Sequence, residues 1–274
     1  MNGAITEKLG LVRSALYLPA SNARAIAKAQ GLDCDLAMLD LEDAVRDEDK
    51  QSAREAAIAA IGADWNADLV AIRINGPSSP YHEADVAAVV AAKPHLVVAP
   101  KIESGAEAAV IAAAVAAPLL AMIETPVGVY AAREIAAAQG VAGIIVGTND
   151  LAADLRLPPE AGREGLTTAL QMILLAVRAA GGVALDGVYN KLDDAEGFEA
   201  ECHAGRMLGF DGKTLIHPSQ VEPCNRLFGP SASEIEDATA LIEAATGGAE
   251  RFRGRMIEGM HVATARRLLG RARL

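Results

Sequence analysis

The sequence predicts an α/β protein, a (β/α)8 TIM barrel followed by extra C-terminal helices. Three observations predict it. Short β-branched or leucine-rich runs alternate with longer alanine-rich segments of helical composition, a rhythm that demands parallel strands joined by crossover helices. Eight such runs fit into about 220 residues, which suits a closed barrel better than an open sheet. The turn after the first run reads Pro19-Ala20-Ser21-Asn22, and no GxGxxG occurs anywhere, so the phosphate loop of a dinucleotide-binding sheet is missing.

Taken in order, strands are predicted over 14–18, 36–41, 69–74, 96–100, 118–123, 143–147, 183–188 and 211–216. Helices are predicted between them over 23–30, 49–61, 81–92, 105–116, 127–138, 163–180 and 195–208. Thr125-Pro126 is a helix start, with Thr as cap and Pro as first helical residue. No Pro/Ser-rich linker divides the chain. Residues 1–230 therefore form the barrel, a catalytic domain, and 231–274 a helical extension of the same domain, with helices over about 231–246 and 257–270.

The chain has 274 residues, 51% of them hydrophobic and 22% charged, which excludes disorder and collagen. A net charge of −11 is the wrong sign for a general nucleic-acid binder, and 3% aromatics offer no stacking platform. The charge is uneven: residues 251–274 hold seven Arg and one Glu, a basic tail suited to an acidic neighbouring subunit or an anionic ligand. Cys34, Cys202 and Cys224 form no CxxC pair, so a reducing, cytoplasmic setting is expected without disulfides or zinc. The first ten residues carry no signal-peptide apolar region, and no run reaches about 18 uninterrupted apolar residues, so no membrane partner is expected.

In a barrel of this kind the active site lies at the C-terminal ends of the strands. The residues there are rich in charge: Asp40, Glu42 and Asp43; Arg73 and Asn75; Lys101 and Glu103; Glu124; Thr148, Asn149 and Asp150; Asp186; Lys213 and His217. Each has a plainer explanation. Asn149 or Asp150 suits a helix cap, Arg73 neutralisation of a carboxylate, and Asp40, Glu42 and Asp43 loop charges answering Arg46 or buried bonds to backbone. Together, converging carboxylates repel unless a cation compensates them. Oxygen ligands without Cys or His suit Mg²⁺. Glu124 and Asp150 end neighbouring strands and are the best pair of direct ligands, with Glu42, Asp43 and Asp40 left to hold metal-bound waters or orient Arg73.

These segments resemble the citrate lyase beta-subunit family and its malyl-CoA and citramalyl-CoA lyase relatives. The matching series runs nearly end to end: Arg13-Ser14, Tyr17-Leu18-Pro19, Leu39-Asp40-Leu41-Glu42-Asp43-Ala44-Val45, Arg73-Ile74-Asn75 and Pro100-Lys101-Ile102-Glu103-Ser104. It continues through Glu124-Thr125-Pro126, Gly147-Thr148-Asn149-Asp150-Leu151, Gly209-Phe210-Asp211-Gly212-Lys213 and Ile216-His217-Pro218-Ser219-Gln220. The resemblance implies a trimeric (β/α)8 barrel with Mg²⁺ on Glu124 and Asp150, and Arg73 on the substrate carboxylate. It implies cleavage or formation of a short 3-hydroxydicarboxylyl thioester, citramalyl, malyl or citryl, with an acyl thioester and a 2-oxo acid as the other side of the reaction. Arg24 and Lys28, four apart on the first helix, resemble the basic positions that meet CoA phosphates; a solvated helix face explains them as well.

Two departures touch the site. Where the lyases place an aspartate of a C-terminal Met-x-Asp-x-Pro element over a neighbouring subunit's site as acid/base, this chain has Met256-Ile257-Glu258-Gly259-Met260, so Glu258 carries the role on a longer arm. Asn149 stands where the family more often has Glu. Two alternatives stay open: a class II aldolase acting on free 2-oxo acids, for which His217 is the only strand-end histidine, and a non-autonomous subunit working with an acyl carrier protein.

Overall fold

Eight parallel strands close into a ring in chain order: β1 (Ser14–Pro19), β2 (Leu36–Asp40), β3 (Leu69–Arg73), β4 (Leu96–Ala99), β5 (Leu119–Ile123), β6 (Val141–Val146), β7 (Val183–Asp186) and β8 (Gly212–Leu215), with β8 pairing back onto β1. The expected (β/α)8 barrel is therefore the fold. This computed structural model describes residues 3–272. All eight strands are buried on both faces but for an edge residue or two, as a sheet wrapped in helices requires.

The surrounding helices begin with α1 (Gly3–Leu9), then α2 (Ala23–Ala29), α3 (Lys50–Ile61), α4 (His82–Ala92) and α5 (Gly105–Val115). They continue with α6 (Pro126–Tyr130), α7 (Ala132–Ala137), α8 (Thr148–Asp154), α9 (Thr167–Ala180), α10 (Ala195–Leu208) and α11 (Val221–Phe228). Thr125 caps α6 by accepting from the Gly128 amide, with Pro126 first in the helix, as the sequence indicates. The helix expected over 127–138 is instead two, parted at Ala131, where ψ opens to 0°.

Three short helices escape the sequence pattern. α1, seven residues long, sets Leu9 beside the inward strand residues Leu36 and Leu69, and so plugs the end of the barrel opposite the strand C-termini. α8 starts directly at the end of β6, and α11 packs its buried Val221, Cys224 and Phe228 on the outer layer. Too few apolar residues repeat in such short segments for periodicity to reveal them.

Beyond the barrel come α12 (Ala232–Ala244), a two-stranded antiparallel hairpin of β9 (Glu250–Phe252) and β10 (Arg255–Ile257), and α13 (Gly259–Gly270). The hairpin was not expected. These elements share a small apolar cluster of their own, Ala238, Leu241, Ile257 and Ala265. Arg271 joins the unit to the barrel by donating to the carbonyls of Gly10 (3.2 Å) and Asp211, both just ahead of strands. Arg206 on α10 pairs with Glu234 on α12 at 2.7 Å. Among the described residues no helix is long and apolar enough to cross a membrane.

Candidate functional site

Side chains alternate along each strand, so every second residue points into the barrel. Tyr17, Leu36 and Met38, Leu69 and Ala71, Val98, Leu120 and Met122 form the inner core. Continuing that alternation by one more step places Asp40, Arg73 and Glu124 inward at the mouth. Asp40 lies in register with Arg73, and Ile123 with Val146, which sets Glu124 beside Gly147. A Cβ at position 147 would overlap the Glu124 carboxylate, so glycine here makes the room that Glu124 occupies. The mouth encloses a cavity of about 310 Å³ lined by Tyr17, Asp40, Asp43, Arg73, Glu124 and Asp150, among others.

Arg73 is only 7% exposed and already engaged. Its Nε and Nη2 donate to the two oxygens of Asp40, both at 2.7 Å, a bidentate pair across neighbouring strands. Its Nη1 stands 3.0 Å from Glu42 Oε2, although that oxygen accepts no aligned hydrogen bond. Asp40 in turn accepts from the amides of Glu42 (2.9 Å) and Ala44 (3.2 Å), fixing the loop after β2. Burial pushes the Glu42 carboxyl up to about 8, against the pull of Arg73. Glu42 lines an adjoining cavity of about 320 Å³ with Asp43, Lys50, Asn75 and Lys101. There the buried Lys50 ammonium donates to the Leu41 and Glu42 carbonyls and to Asn75.

Glu124 is 3% exposed and uses one oxygen to accept from the Lys101 amide at 2.8 Å. Burial, then the charge of Asp150, pushes its carboxyl up to about 7. Lys101 makes this contact from a left-handed backbone, φ 55°, a conformation costing about 1–2 kcal/mol in a non-glycine residue. Its ammonium lies 3.5 Å from Asp150. Burial works against that charge, but Glu42 and Asp150 outweigh it and hold the ammonium above its ordinary value. Two hard oxygen donors, one raised toward neutrality by burial and by the charge of the other, fit Mg²⁺, which binds through one or two carboxylates and keeps its remaining positions for water and substrate.

Arg73, Glu124, Asp150 and Asp43 thus share one cavity, and Glu42 touches it through Arg73. The other expected residues fall elsewhere. Arg24 and Lys28 are exposed on α2 and line neither mouth cavity. Glu258 precedes α13, exposed, its amide donating to His261 Nδ1 at 3.0 Å, and it is absent from the mouth of its own chain. Asp186 and Lys213, read as strand-end candidates, point outward between sheet and helices, because their neighbours Leu185 and Thr214 take the inward positions. Glu103 is exposed and accepts from Thr125 at 2.7 Å, and His217 caps the short helical turn at Pro218–Gln220. Neither Asn149 nor Asp150 is a helix cap: Gly147 holds that place. Asn149 instead accepts from Asn190 Nδ2 at 2.7 Å. Arg46 pairs with Glu48, not with the carboxylates of the mouth. Tyr17, not among the residues the sequence singles out, lines the cavity; its one signal is an aromatic hydroxyl in the middle of a strand whose neighbours Ala15, Leu16 and Leu18 are aliphatic.

The HpcH/HpaI aldolase/citrate lyase family model matches residues 13–218. A (3S)-malyl-CoA thioesterase of Cereibacter sphaeroides is 42% identical over 269 residues, covering 95% of this chain and 94% of that one. The citrate lyase subunit beta-like protein of Deinococcus radiodurans is 36% identical, covering 94% and 96%. Among solved structures, the CitE protein of Mycobacterium tuberculosis in complex with magnesium, acetoacetate and coenzyme A superposes with a TM-score of 0.82 at 30% identity, covering 95% of this chain and 97% of that one.

Proposed function

This chain belongs to the HpcH/HpaI aldolase/citrate lyase family, and on that premise we propose that it is an Mg²⁺-dependent carbon–carbon lyase acting on a short 3-hydroxydicarboxylyl thioester. The observation that carries the reading is the Glu124–Asp150 carboxylate pair sharing one cavity with Arg73. Malyl thioester is the first substrate to try, because the relative at 42% identity is named for malyl-CoA. Citramalyl and citryl thioesters follow, since acyl discrimination turns on methyl-sized contacts worth about 1–3 kcal/mol.

Glu124 and Asp150 would hold the metal, which would supply Lewis-acid polarisation of substrate oxygens. Arg73, whose planar guanidinium is held in place by two hydrogen bonds to Asp40, presents charge to the substrate carboxylate. Glu42 carries a proton near neutral pH beside Arg73 and is placed to move it; Asp43 lies on both cavities. Glu258 serves only a neighbouring copy, in keeping with a homotrimer. Arg24 and Lys28 meet the CoA phosphates outside the mouth.

A second reading has its own support: hydrolysis of the thioester, the activity named for the Cereibacter relative. Products separate the two. With malyl-CoA, carbon–carbon cleavage gives acetyl-CoA and glyoxylate, whereas hydrolysis consumes water and gives malate and free CoA. The assay runs malyl-CoA and citramalyl-CoA in parallel, with Mg²⁺ and with chelator, on wild type and Glu124→Ala. Metal-dependent release of acetyl-CoA and oxo acid is expected; free CoA with malate overturns the lyase reading. Turnover restricted to free oxo acids points to the class II aldolase. Activity that requires an acyl carrier protein points to a complex subunit.

A further inference from the structure

Two strong donors at the barrel mouth converge on one weak acceptor. Tyr17 points inward from β1, 8% exposed, with its ring under the Arg73 guanidinium, whose Cζ lies 4.6 Å from the ring centre. Its hydroxyl reaches Met122 Sδ at 3.8 Å, and Arg73 Nη1 reaches the same sulfur at 3.9 Å. A thioether is a poor acceptor, whereas a buried phenol ordinarily secures a full hydrogen bond. All three side chains line the cavity that Glu124 and Asp150 also line. Nε and Nη2 of Arg73 are committed to Asp40, and Nη1 faces Glu42 Oε2 at 3.0 Å without an aligned hydrogen bond, so Nη1 and the tyrosine hydroxyl are what this wall presents to a ligand. Burial pushes the phenol up, so it is a donor at neutral pH.

We propose that Tyr17 is a substrate-binding donor, its hydroxyl joining Arg73 Nη1 on one carboxylate oxygen of the bound 2-oxo acid in place of Met122 Sδ. A carboxylate is the group selected because the rest of the mouth is acidic, with Asp40, Asp43, Glu124 and Asp150 around it, and an anion is tolerated only where a cation and a second donor meet. The same oxygen is gripped before cleavage, when the carboxylate still belongs to the thioester substrate. Tyr17 then fixes which end of the substrate lies against Arg73. The proposal rests on the lyase reading of the cavity.

Tyr17→Phe removes the hydroxyl and keeps the ring under Arg73. Pyruvate and glyoxylate are titrated calorimetrically into the Mg²⁺-loaded wild type and variant, with methyl pyruvate as the uncharged analogue, and Mg²⁺ alone into each. Expected is a loss of roughly ten- to a hundredfold in oxo-acid affinity, the range for a hydrogen bond to a charged group, with the same factor in KM. Mg²⁺ affinity and Tm stay at the wild-type value, and the preference for pyruvate over its methyl ester shrinks, which a purely structural role would not produce. Wild type that binds oxo acids while Tyr17→Phe binds them equally well overturns this proposal alone. Mg²⁺-loaded wild type that binds no oxo acid overturns the lyase reading, and the proposal with it.

Discussion

Two groups of buried charge sit in the same barrel and behave in opposite ways. In the wall, between sheet and helices, Lys213 is fully buried and meets Asp186 at 3.3 Å, Glu201 at 2.6 Å and the Gly187 carbonyl at 2.5 Å, while Arg163 reaches Asp186 at 2.6 Å. Two cations answer two carboxylates, and Arg163 Nε alone lacks a partner. At the mouth, the buried Asp40, Glu42 and Glu124 and the more exposed Asp43 and Asp150, five carboxylates, face three cations among the described residues, Arg73, Lys50 and Lys101. Burial there leaves Glu42 and Glu124 protonated up to about 8 and about 7. Burial of charge therefore does not mark a functional site by itself. Imbalance of charge does, because a balanced cluster offsets its own desolvation and an unbalanced one waits for a ligand.

The sharpest way to break this contrast is to remove one charge from each side. Glu124→Ala takes away metal-held stabilisation worth several kcal/mol, on the order of 1000-fold in turnover, and abolishes Mg²⁺ binding by calorimetry with little change in folding. A variant that keeps Mg²⁺ affinity and turnover would show that the mouth is not a metal site. Lys213→Met should do the reverse. It strands part of a buried ion cluster and lowers unfolding free energy in urea by about 3 kcal/mol, with turnover per folded molecule unchanged. A stable but inactive Lys213→Met would erase the distinction between the two clusters.

Smaller effects sharpen it. Arg73→Lys keeps a charge but cannot bridge both Asp40 oxygens, and kcat/KM should fall about 10- to 100-fold with the loss mainly in substrate affinity. For pH, the sign follows from protons held by the folded state. Glu124 is protonated below about 7 in the metal-free protein, so Mg²⁺ must displace that proton, and apparent affinity rises by up to about tenfold per pH unit until pH 7 and then levels. Calorimetry in buffers of different ionisation enthalpy counts the proton released. Glu42 is shifted from 4.5 to about 8, so the folded chain binds more protons than the unfolded one between those values. Stability of the metal-free protein should decline as pH rises through that window, as thermal unfolding would record.

Much of the site was legible because its residues lie at positions that chain order marks. The eight runs of β-branched and leucine residues placed the strands within a residue or two of their observed ends, and the carboxylates directly after β2, β5 and β6 marked the mouth. Thr125-Pro126 announced its helix in the chain alone. What chain order could not reveal was which strand-end charges face inward. In these strands both faces are buried, so no apolar–polar alternation separates the face that lines the barrel from the face that meets the helices.

That choice belongs to the tertiary structure, because it depends on register between strands tens of residues apart. Closure turns Asp40, Arg73 and Glu124 into the mouth and turns Asp186 and Lys213 away from it. Closure also brings Tyr17 and Met122, 105 residues apart, against one arginine, and sets Gly147 where Glu124 needs space. The sequence by itself determined the barrel, the acidic rim and the identity of the candidate metal ligands, since those follow from local pattern and residue chemistry. Only the closed ring decided which charges are neutralised in the wall and which stay unbalanced at the mouth, because neutralisation is a matter of distances that no local pattern encodes.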